Sequence, residues 1–240
     1  MCIRDSFGAE TELAEVLSVD FSGEIKKIES SEGTFKAKTI IIATGAVPRE
    51  LGVPGEKELV GRGVGYCATC DGMFYRNKTV MVIGGGNTAA ADAMTLSRIC
   101  EKVILVHRRD SLRATKVYHK QLEETPNIEF YWNTTVSEFL YDKKLTGAKL
   151  HNVKTGEDTE ISVDGAFISI GRKPSSELFE GILAMDEAGY IIADESTRTN
   201  IPGVFAIGDV RTKALRQVVT AVADGAMASH YIEEYLAHQM

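Results

Sequence analysis

A short apolar run that ends in a glycine-rich turn constrains the fold more than any other feature of this sequence. Residues 80–83 lead into Gly84–Gly86, and an alanine-rich stretch begins at Ala89. The first glycine allows a tight turn, the second leaves room beside the backbone, and a small third residue lets a helix pack closely on the strand. A second apolar run, residues 103–106, completes a β-α-β unit. This context predicts a dinucleotide-binding turn with phosphates at the helix N-terminus, and a glycine-rich turn without a ligand is the alternative. The predicted contact residues are Gly84, Gly86, Asn87 and Thr88.

The end of the second predicted strand decides which dinucleotide this turn would bind. Sites for NAD place an acidic residue about 20 positions after the first glycine, where it binds the ribose hydroxyls. This sequence has His107-Arg108-Arg109 there, with Arg113 following. Arginine offers several N–H donors to a phosphate dianion. The sequence therefore predicts NADP(H), with the 2′-phosphate bound by Arg108, Arg109 and Arg113. A solvated basic turn is the alternative.

Two cysteines at close spacing, Cys67-x-x-Cys70, precede the nucleotide motif, and Asp71 follows them. Two such thiols can form a disulfide and reopen it, with the thiolate as the reactive species. Asp71 would then act as general acid or base in the exchange. One alternative is half of a zinc site, but Cys2 and Cys100 are single and distant, so no bound metal is expected. The other alternative is a pair of small buried side chains.

Composition excludes several classes of function. With 27 basic and 34 acidic residues among 240, the formal charge is −7, which argues against nucleic acid as the main partner. No apolar run approaches the roughly 20 residues that span a bilayer, so no membrane association is expected. The sequence shows no signal-peptide pattern at its start, and we expect a cytoplasmic protein.

Alternating strand and helix patterns predict an α/β fold. Residues 39–43 form an apolar run typical of a strand buried on both faces. Glycine turns follow two predicted buried strands, at Thr44-Gly45 and Gly208-Asp209, and each alone is a weak indication of a site. The predicted strands are 16–21, 25–28, 34–37, 39–43, 80–83, 103–106, 128–131, 145–151, 159–163, 166–170 and 204–207. The predicted helices are 89–99, 114–123 and a C-terminal helix with apolar positions from 215 to 226, and linkers are predicted near 47 and at 171–174.

Together these motifs resemble a known family. The matching stretches are Gly65-Tyr66-Cys67-Ala68-Thr69-Cys70-Asp71-Gly72, Val82–Ala89, His107–Asp110 with Arg113, Ile201–Asp209 and Arg216-Gln217. They occur in the order found in bacterial-type, low-molecular-weight thioredoxin reductases, which are pyridine-nucleotide disulfide oxidoreductases. The combination of CATCDG with HRRD is specific, since related flavoproteins share the nucleotide fold without this pair. The resemblance extends over nearly the whole chain from Phe7.

The resemblance implies an enzyme with two Rossmann-like domains. An NADPH-binding domain with the redox cysteines, residues 47–170, would be inserted between two segments of an FAD domain, residues 1–46 and 171–240. Electrons would pass from NADPH through FAD to the Cys67–Cys70 disulfide, and then to thioredoxin. By analogy, Cys70 would face the flavin and Cys67 would attack the disulfide of thioredoxin. A homodimer is implied for the full-length form. The implied FAD-binding residues are Thr44, Gly45, Gly208, Asp209, Val210, Arg216, Gln217 and Val218.

The sequence departs from the family pattern at its beginning. The family opens with a glycine-rich unit that binds the FAD pyrophosphate, and residues 1–46 contain no such motif. Residues 1–6 match nothing in the family pattern. We therefore expect an incomplete FAD domain in a shortened chain. Two alternatives to the thioredoxin reductase follow: an NADP(H)-binding module without catalysis, and a reductase of another dithiol carrier.

Overall fold

The computed structural model describes residues 8–239, so the prediction about residues 1–6 lies outside the described part. Residues 8–239 form the strands β1 (Val16–Asp20), β2 (Lys26–Ser30), β3 (Gly33–Ala37), β4 (Ile40–Ile42), β5 (Ala46–Pro48), β6 (Val64–Gly65), β7 (Thr79–Ile83), β8 (Lys102–His107), β9 (Ile128–Trp132), β10 (Thr134–Tyr141), β11 (Leu145–Asn152), β12 (Asp158–Ser162), β13 (Gly165–Ile168), β14 (Arg172–Pro174) and β15 (Val204–Ala206). The helices are α1 (Glu56–Leu59), α2 (Ala68–Asp71), α3 (Asn87–Ser97), α4 (Lys116–Glu123) and α5 (Val218–Ala237). The α/β class predicted from the sequence is confirmed.

The chain divides into two compact units. Unit 1 combines the segment up to Val47 with the segment from Lys173 onward, and unit 2 is Pro48–Arg172. The sequence places the inserted domain at 47–170, and the assignment of NADPH and FAD to the two domains stays a prediction. Short strands β5 and β14 pair with each other.

Unit 2 is built on a parallel five-stranded sheet in the order β6-β13-β7-β8-β9. Strand β7 is buried on both faces, and its side chains alternate between two hydrophobic clusters. Val80 and Val82 pack with the alanines of α3, whereas Met81 and Ile83 pack with side chains of β10 and β11. This alternation follows from the two-residue period of a strand. The antiparallel sheet β10-β11-β12 therefore covers one face of the parallel sheet, and α3 covers the other.

Unit 1 contains an antiparallel sheet, β1-β2-β3, and a parallel pair, β4 and β15. In the pair, Ile42 lies opposite Ala206, so both strands end at the same edge. Ile42 and Ala206 belong to the hydrophobic core of this unit. Helix α5 follows β15 after a 3₁₀ turn, Gly208–Val210.

One prediction in this unit is wrong. Residues 39–43 are predicted to form a strand buried on both faces, but Ile41 is 42% exposed and only Ile42 in β4 is buried. Within residues 8–239, β4 pairs with β15 alone, and the face that bears Ile41 is not covered. A strand needs neighbours on both faces to bury both sets of side chains.

Several elements differ from the sequence-based expectations. Strand β10 is absent from the predicted strands, and the segment from 47 to 65 contains α1 and β6 as well as a connection. Residues 172–174, predicted as a linker, form β14. Within the described residues, no helix is both long and apolar enough to cross a membrane.

Candidate redox and nucleotide-binding sites

The two cysteines of the C-x-x-C motif form a disulfide, with Cα atoms 5.3 Å apart. Cys67 is the N-cap of α2, and its sulfur accepts a hydrogen bond from the backbone N–H of Cys70 at 3.2 Å. The sulfur of Cys67 therefore lies at the N-terminus of α2, next to a backbone N–H donor. Cys70 is exposed and Cys67 is half-buried.

Asp71, the predicted acid or base, is the last residue of α2 and is half-buried. One of its carboxylate oxygens lies 3.4 Å from where a Cβ on Gly65 would stand. Burial, together with the charges of Asp71 and Asp164, raises the pKa of Tyr75. Asp71 therefore lies directly after the redox cysteine pair, on the same short helix as Cys70.

A zinc site is not supported by this geometry. The sulfurs of Cys67 and Cys70 are bonded to each other, and Cys100 is buried, which raises the pKa of its thiol to about 11. Within residues 8–239, no group of three or more His, Cys, Asp or Glu side chains is placed to hold a metal ion. Cys2 lies outside the described residues.

The glycine-rich turn connects β7 to α3 in the way that the sequence predicts. Gly84 has a φ of +153°, and a Cβ there would lie 2.4 Å from the carbonyl oxygen of Ser169 and 2.8 Å from Cβ of Ala89. Only glycine fits this close approach. Gly86 is the N-cap of α3, and a Cβ there would meet open space. The turn therefore leaves room at the N-terminus of α3, where free N–H groups favour a phosphate.

The other two predicted residues of this turn have different surroundings. Thr88 lines a cavity of about 760 Å³ in unit 2 that Gly84 and Gly86 also line. The side-chain oxygen of Asn87 accepts a hydrogen bond from the N–H of Thr115 at 2.8 Å. Asn87 thus fixes the segment after β8, which adjoins the turn.

Three exposed arginines lie after β8, at Arg108, Arg109 and Arg113. Arg108 and Arg113 line the cavity, but Arg109 does not. Within residues 8–239, no carboxylate forms an ion pair with any of the three. The backbone N–H of Arg113 donates to the carbonyl of Gly85 at 2.7 Å, which places this arginine beside the glycine-rich turn. Unpaired guanidinium groups at the end of the strand fit a 2′-phosphate.

His107 supports the assignment of the cavity to a ligand. The residue is 5% exposed, it lines the cavity, and its Nε2 atom has no hydrogen-bond partner within the described residues. Its ring packs on the turn so closely that a Cβ on Gly85 would lie 2.1 Å from it. Burial and the charge of Arg113 lower the pKa of His107, so the ring is neutral at pH 7. A buried nitrogen without a partner is unfavourable unless a ligand or water supplies one, and the cavity residues therefore fit a polar nucleotide.

The predicted FAD residues of unit 1 gather at the carboxyl ends of β4 and β15. Thr44 and Gly45 follow β4, and Gly208 follows β15. Gly45 and Gly208 have φ angles of +73° and +69°, and a Cβ on Gly45 would meet open space. Ligands of parallel α/β sheets bind outside the carboxyl ends of the strands, so this edge fits part of a dinucleotide such as FAD. Within residues 8–239, no second turn of the Gly84–Ala89 type adjoins it.

The remaining predicted FAD residues lie in or after the Gly208–Val210 turn. Arg216 stacks on the ring of Tyr190 at 3.9 Å, and its Nε donates to the carbonyl of Asp209. Gln217 is the N-cap of α5 and forms a reciprocal capping box with Thr220. Val218 is 81% exposed, so its side chain is available to a ligand.

Val210 differs from the other predicted FAD residues because its side chain is fully buried in the core of unit 1. Only its backbone is left for a contact with a ligand.

Comparison with known proteins identifies relatives that are redox enzymes of the disulfide type. A family model described as "Pyridine nucleotide-disulphide oxidoreductase" matches residues 5–225. A thioredoxin reductase of Peptoclostridium acidaminophilum is 46% identical over 238 residues, which cover 97% of this chain and 76% of the relative. The chain belongs to the thioredoxin reductase family of pyridine nucleotide-disulphide oxidoreductases. The resemblance seen in the sequence is confirmed.

Further relatives and a solved structure agree with this family. A thioredoxin reductase of Streptomyces coelicolor is 47% identical over 235 residues, covering 97% of this chain and 73% of the relative. The crystal structure of thioredoxin reductase from Streptococcus pyogenes has a TM-score of 0.90 and 40% identity, covering 98% of this chain and 77% of that one. Members of this family use a flavin and a pyridine nucleotide.

Three side chains at these sites have no role in the sequence-based prediction. His107 is one, and the adjacent arginines could have drawn attention to it. Ser169 also lines the cavity, and its hydroxyl donates to Asp92 at 2.6 Å. Glu56 is the third, and it is 1% exposed. Ser169 and Glu56 are single polar residues whose importance depends on tertiary contacts, and no local pattern identifies them.

Proposed function

We propose that this protein uses NADPH to reduce the disulfide of thioredoxin, through FAD and the Cys67–Cys70 disulfide. The observation that supports this proposal most is that unit 2 contains both the redox disulfide and the candidate nucleotide-binding cavity. A redox disulfide precedes a glycine-rich turn whose adjoining cavity is lined by Arg108 and Arg113. The names of the relatives support thioredoxin as the substrate.

The residues of unit 2 bind and orient the nucleotide in this proposal. N–H groups at the start of α3, beside Gly86, receive the pyrophosphate. Arg108 and Arg113 bind the 2′-phosphate, with Arg109 adding positive charge near it. The 2′-phosphate is the group that NADH lacks, so the arginines give the preference for NADPH.

FAD, when bound, supplies two-electron transfer between the nicotinamide and the disulfide. The residues that would hold it are those at the carboxyl edge of β4 and β15 and at the start of α5. They are Thr44, Gly45, Gly208, Asp209, the backbone of Val210, Arg216, Gln217 and Val218.

Exchange with thioredoxin uses the reduced cysteine pair. The Cys67 thiolate attacks one sulfur of the thioredoxin disulfide, and the other sulfur leaves as a thiolate that takes up a proton. Cys70 then attacks the mixed disulfide, which restores Cys67–Cys70 and releases the second thioredoxin thiolate. Asp71 holds or delivers the proton beside Cys70 during these steps. Two electrons pass from the enzyme dithiol to thioredoxin.

A second candidate is an NADP(H)-binding module without catalysis. It is favoured by one observation, that the described residues contain a single turn of the Gly84–Ala89 type. A reductase of another dithiol carrier differs from the main proposal only in its docking surface. A homodimeric assembly and a cytoplasmic location are further parts of the proposal.

The test is turnover of the purified protein with added FAD. NADPH oxidation is followed at 340 nm with thioredoxin as the acceptor, and in parallel with a second dithiol carrier. The proposal expects oxidation that requires both FAD and thioredoxin and is lost in Cys67→Ser. Tight NADPH binding without turnover would support the binding module, and faster turnover with the other carrier would replace thioredoxin as the substrate.

A further inference from the structure

Glu56 is a buried acid that the proposed chemistry does not use. It is the first residue of α1 and is 1% exposed. A carboxylate removed from water in this way is costly unless charges or hydrogen bonds compensate it. Within residues 8–239, no basic side chain forms an ion pair with it. Hydrogen bonds must therefore provide the compensation.

Both carboxylate oxygens of Glu56 accept hydrogen bonds. Oε1 accepts from the backbone N–H of Leu51 at 3.0 Å and from the hydroxyl of Tyr66 at 2.8 Å. Oε2 accepts from the N–H of Gly52 at 2.7 Å. Bonds to a charged acceptor are stronger than neutral ones, at about 1.5–3 kcal/mol each. The carboxylate thus joins two segments that are separate in sequence.

Tyr66 is the direct neighbour of Cys67, and these two residues connect β6 to α2. Strand β6 is fixed on one side, where Val64 and Gly65 pair with β13. The phenol of Tyr66 is fixed on the other, by Glu56. Burial and the adjacent carboxylate raise the pKa of Tyr66, so its hydroxyl remains a donor across the physiological range. Two contacts therefore hold the segment that leads into the Cys67–Cys70 loop: the pairing of β6 with β13 and the Tyr66–Glu56 hydrogen bond.

The other segment held by Glu56 belongs to the wall of the nucleotide cavity. Arg49, Leu51 and Val53 line that cavity. The N–H of Arg49 also donates to the carbonyl of Gly171, which fixes the start of this segment within unit 2. One carboxylate therefore connects the cavity wall to the residue before Cys67.

We propose that Glu56 is a positioning residue for the redox disulfide, acting through the hydroxyl of Tyr66 to hold the entry to the Cys67–Cys70 loop. The proposal deepens the proposed function, on which it rests for the role of that disulfide. Holding the entry to the loop keeps the two sulfurs close, and this raises the effective concentration of one thiol at the other. Loss of the Tyr66–Glu56 bond lowers that concentration and makes the disulfide easier to reduce.

The test is an equilibrium with dithiothreitol, which needs neither nucleotide nor flavin. Reduced dithiothreitol gives two electrons and two protons to Cys67 and Cys70 and becomes its cyclic disulfide. The protein is equilibrated with mixtures of the two forms, alkylated and digested. Mass spectrometry of the peptide that contains Cys67 and Cys70 gives the equilibrium constant, without interference from Cys2 or Cys100.

Tyr66→Phe and Glu56→Gln are expected to shift this constant toward the dithiol by about five-fold each, a fraction of the energy of one charged hydrogen bond. The double variant is expected to show the same shift as Tyr66→Phe, because both changes act on the disulfide through the same Tyr66–Glu56 hydrogen bond. Two controls should leave the constant unchanged. Tyr118→Phe alters a phenol on α4 without a hydrogen-bond partner among residues 8–239, and Glu138→Gln alters a surface ion pair with Lys149.

Two results would overturn the proposal. The first is a lowered melting temperature in Tyr66→Phe with an unchanged equilibrium constant, which would mean that the network only stabilises the fold. The second is additive shifts in the double variant, which would mean that the two residues act separately. If Glu56→Gln does not fold, Tyr66→Phe alone still decides the question. Failure of the proposed function would instead appear as absent NADPH binding or turnover, neither of which enters this measurement.

Discussion

Asp224 of α5 is the centre of a buried ionic cluster in unit 1, and its removal should destabilise this unit. The residue is 6% exposed. Arg211 donates to it through two nitrogens, at 3.0 and 2.8 Å, and Lys213 donates at 2.7 Å. The N–H of Gly208 also donates to it at 2.8 Å, so the carboxylate fixes the turn that is predicted to bind FAD.

The pKa of Asp224 gives the magnitude. Burial alone would raise this pKa, but the hydrogen bonds from Arg211, Lys213 and Gly208 and the charge of Arg211 lower it from 3.8 to about 2. The pKa of Asp224 thus differs by nearly two units between the folded and unfolded states. At 1.36 kcal/mol per pKa unit, this difference corresponds to about 2 kcal/mol of stability. Asp224→Asn also leaves Arg211 and Lys213 buried without a counter-charge, and breaking such a cluster costs about 3–5 kcal/mol at pH 7.

The pH dependence has a definite sign. Because the pKa of Asp224 is lower in the folded state than in the unfolded chain, its contribution is complete above about pH 4. The contribution falls as the pH drops from about 4 to about 2, where the folded protein also takes up the proton. The stability difference between wild type and Asp224→Asn should therefore shrink by about 2 kcal/mol over this range.

The assay is urea unfolding followed by circular dichroism at 222 nm, at pH values from 7 down to 2. Taking the difference between the two proteins cancels the titration of all other carboxyl groups. The control is Glu234→Gln, which changes another acid of α5 and removes a half-exposed ion pair with Arg198. This change should cost less than about 1 kcal/mol. A difference in unfolding free energy between wild type and Asp224→Asn that stays constant from pH 7 to pH 2 would mean that folding does not lower the pKa of Asp224.

Three further predictions concern the proposed sites. Arg108→Ala should weaken NADPH binding by about 10-fold to 100-fold and leave NADH binding nearly unchanged, because one charged hydrogen bond to the 2′-phosphate is lost. Isothermal titration calorimetry with both nucleotides measures this, and equal losses of affinity would contradict the assignment of Arg108 to the 2′-phosphate. Gly85→Ala should destabilise the protein by about 1–3 kcal/mol in urea unfolding, since the new Cβ would overlap the ring of His107, and unchanged stability would show that the ring moves freely. Cys70→Ser should abolish thioredoxin reduction in the turnover assay while the NADPH dissociation constant stays within about two-fold, and retained turnover would exclude the proposed role of the disulfide.

Local patterns in the sequence were sufficient to predict the parts of the fold that depend on local chemistry. The segment before Gly84 is a strand and the segment after it is a helix, as the sequence predicts. Glycine at φ +153° and the small residues of α3 allow this helix to pack closely on the strand. The predicted disulfide-forming pair is bonded in the structure. In these cases a few adjacent residues determine the geometry.

Features that depend on distant contacts could not be predicted in this way. Strand β10 has a mixed burial pattern, and its pairing with β11 rather than its own composition makes it a strand. The exposure of Ile41 depends on which neighbours β4 has, and the apolar run 39–43 contains no information about them.

The same limit applies to the site. Arg109 is next to Arg108 in sequence, yet only Arg108 lines the cavity, because side chains of successive residues point in different directions. Glu56 and Tyr66 are separated by a helix and a strand, and their hydrogen bond exists only in the folded chain.

Electron transfer from NADPH to the Cys67–Cys70 disulfide can be tested most directly by thiol mapping after one round of reduction. The protein is incubated with FAD and NADPH without thioredoxin, then alkylated, and the modification of Cys67 and Cys70 is quantified by mass spectrometry. Both cysteines should become alkylated only when NADPH and FAD are present together, and NADH should be a poor substitute. Cysteines that remain disulfide-bonded while NADPH is bound would contradict the claim that this chain passes electrons from the nucleotide to its disulfide.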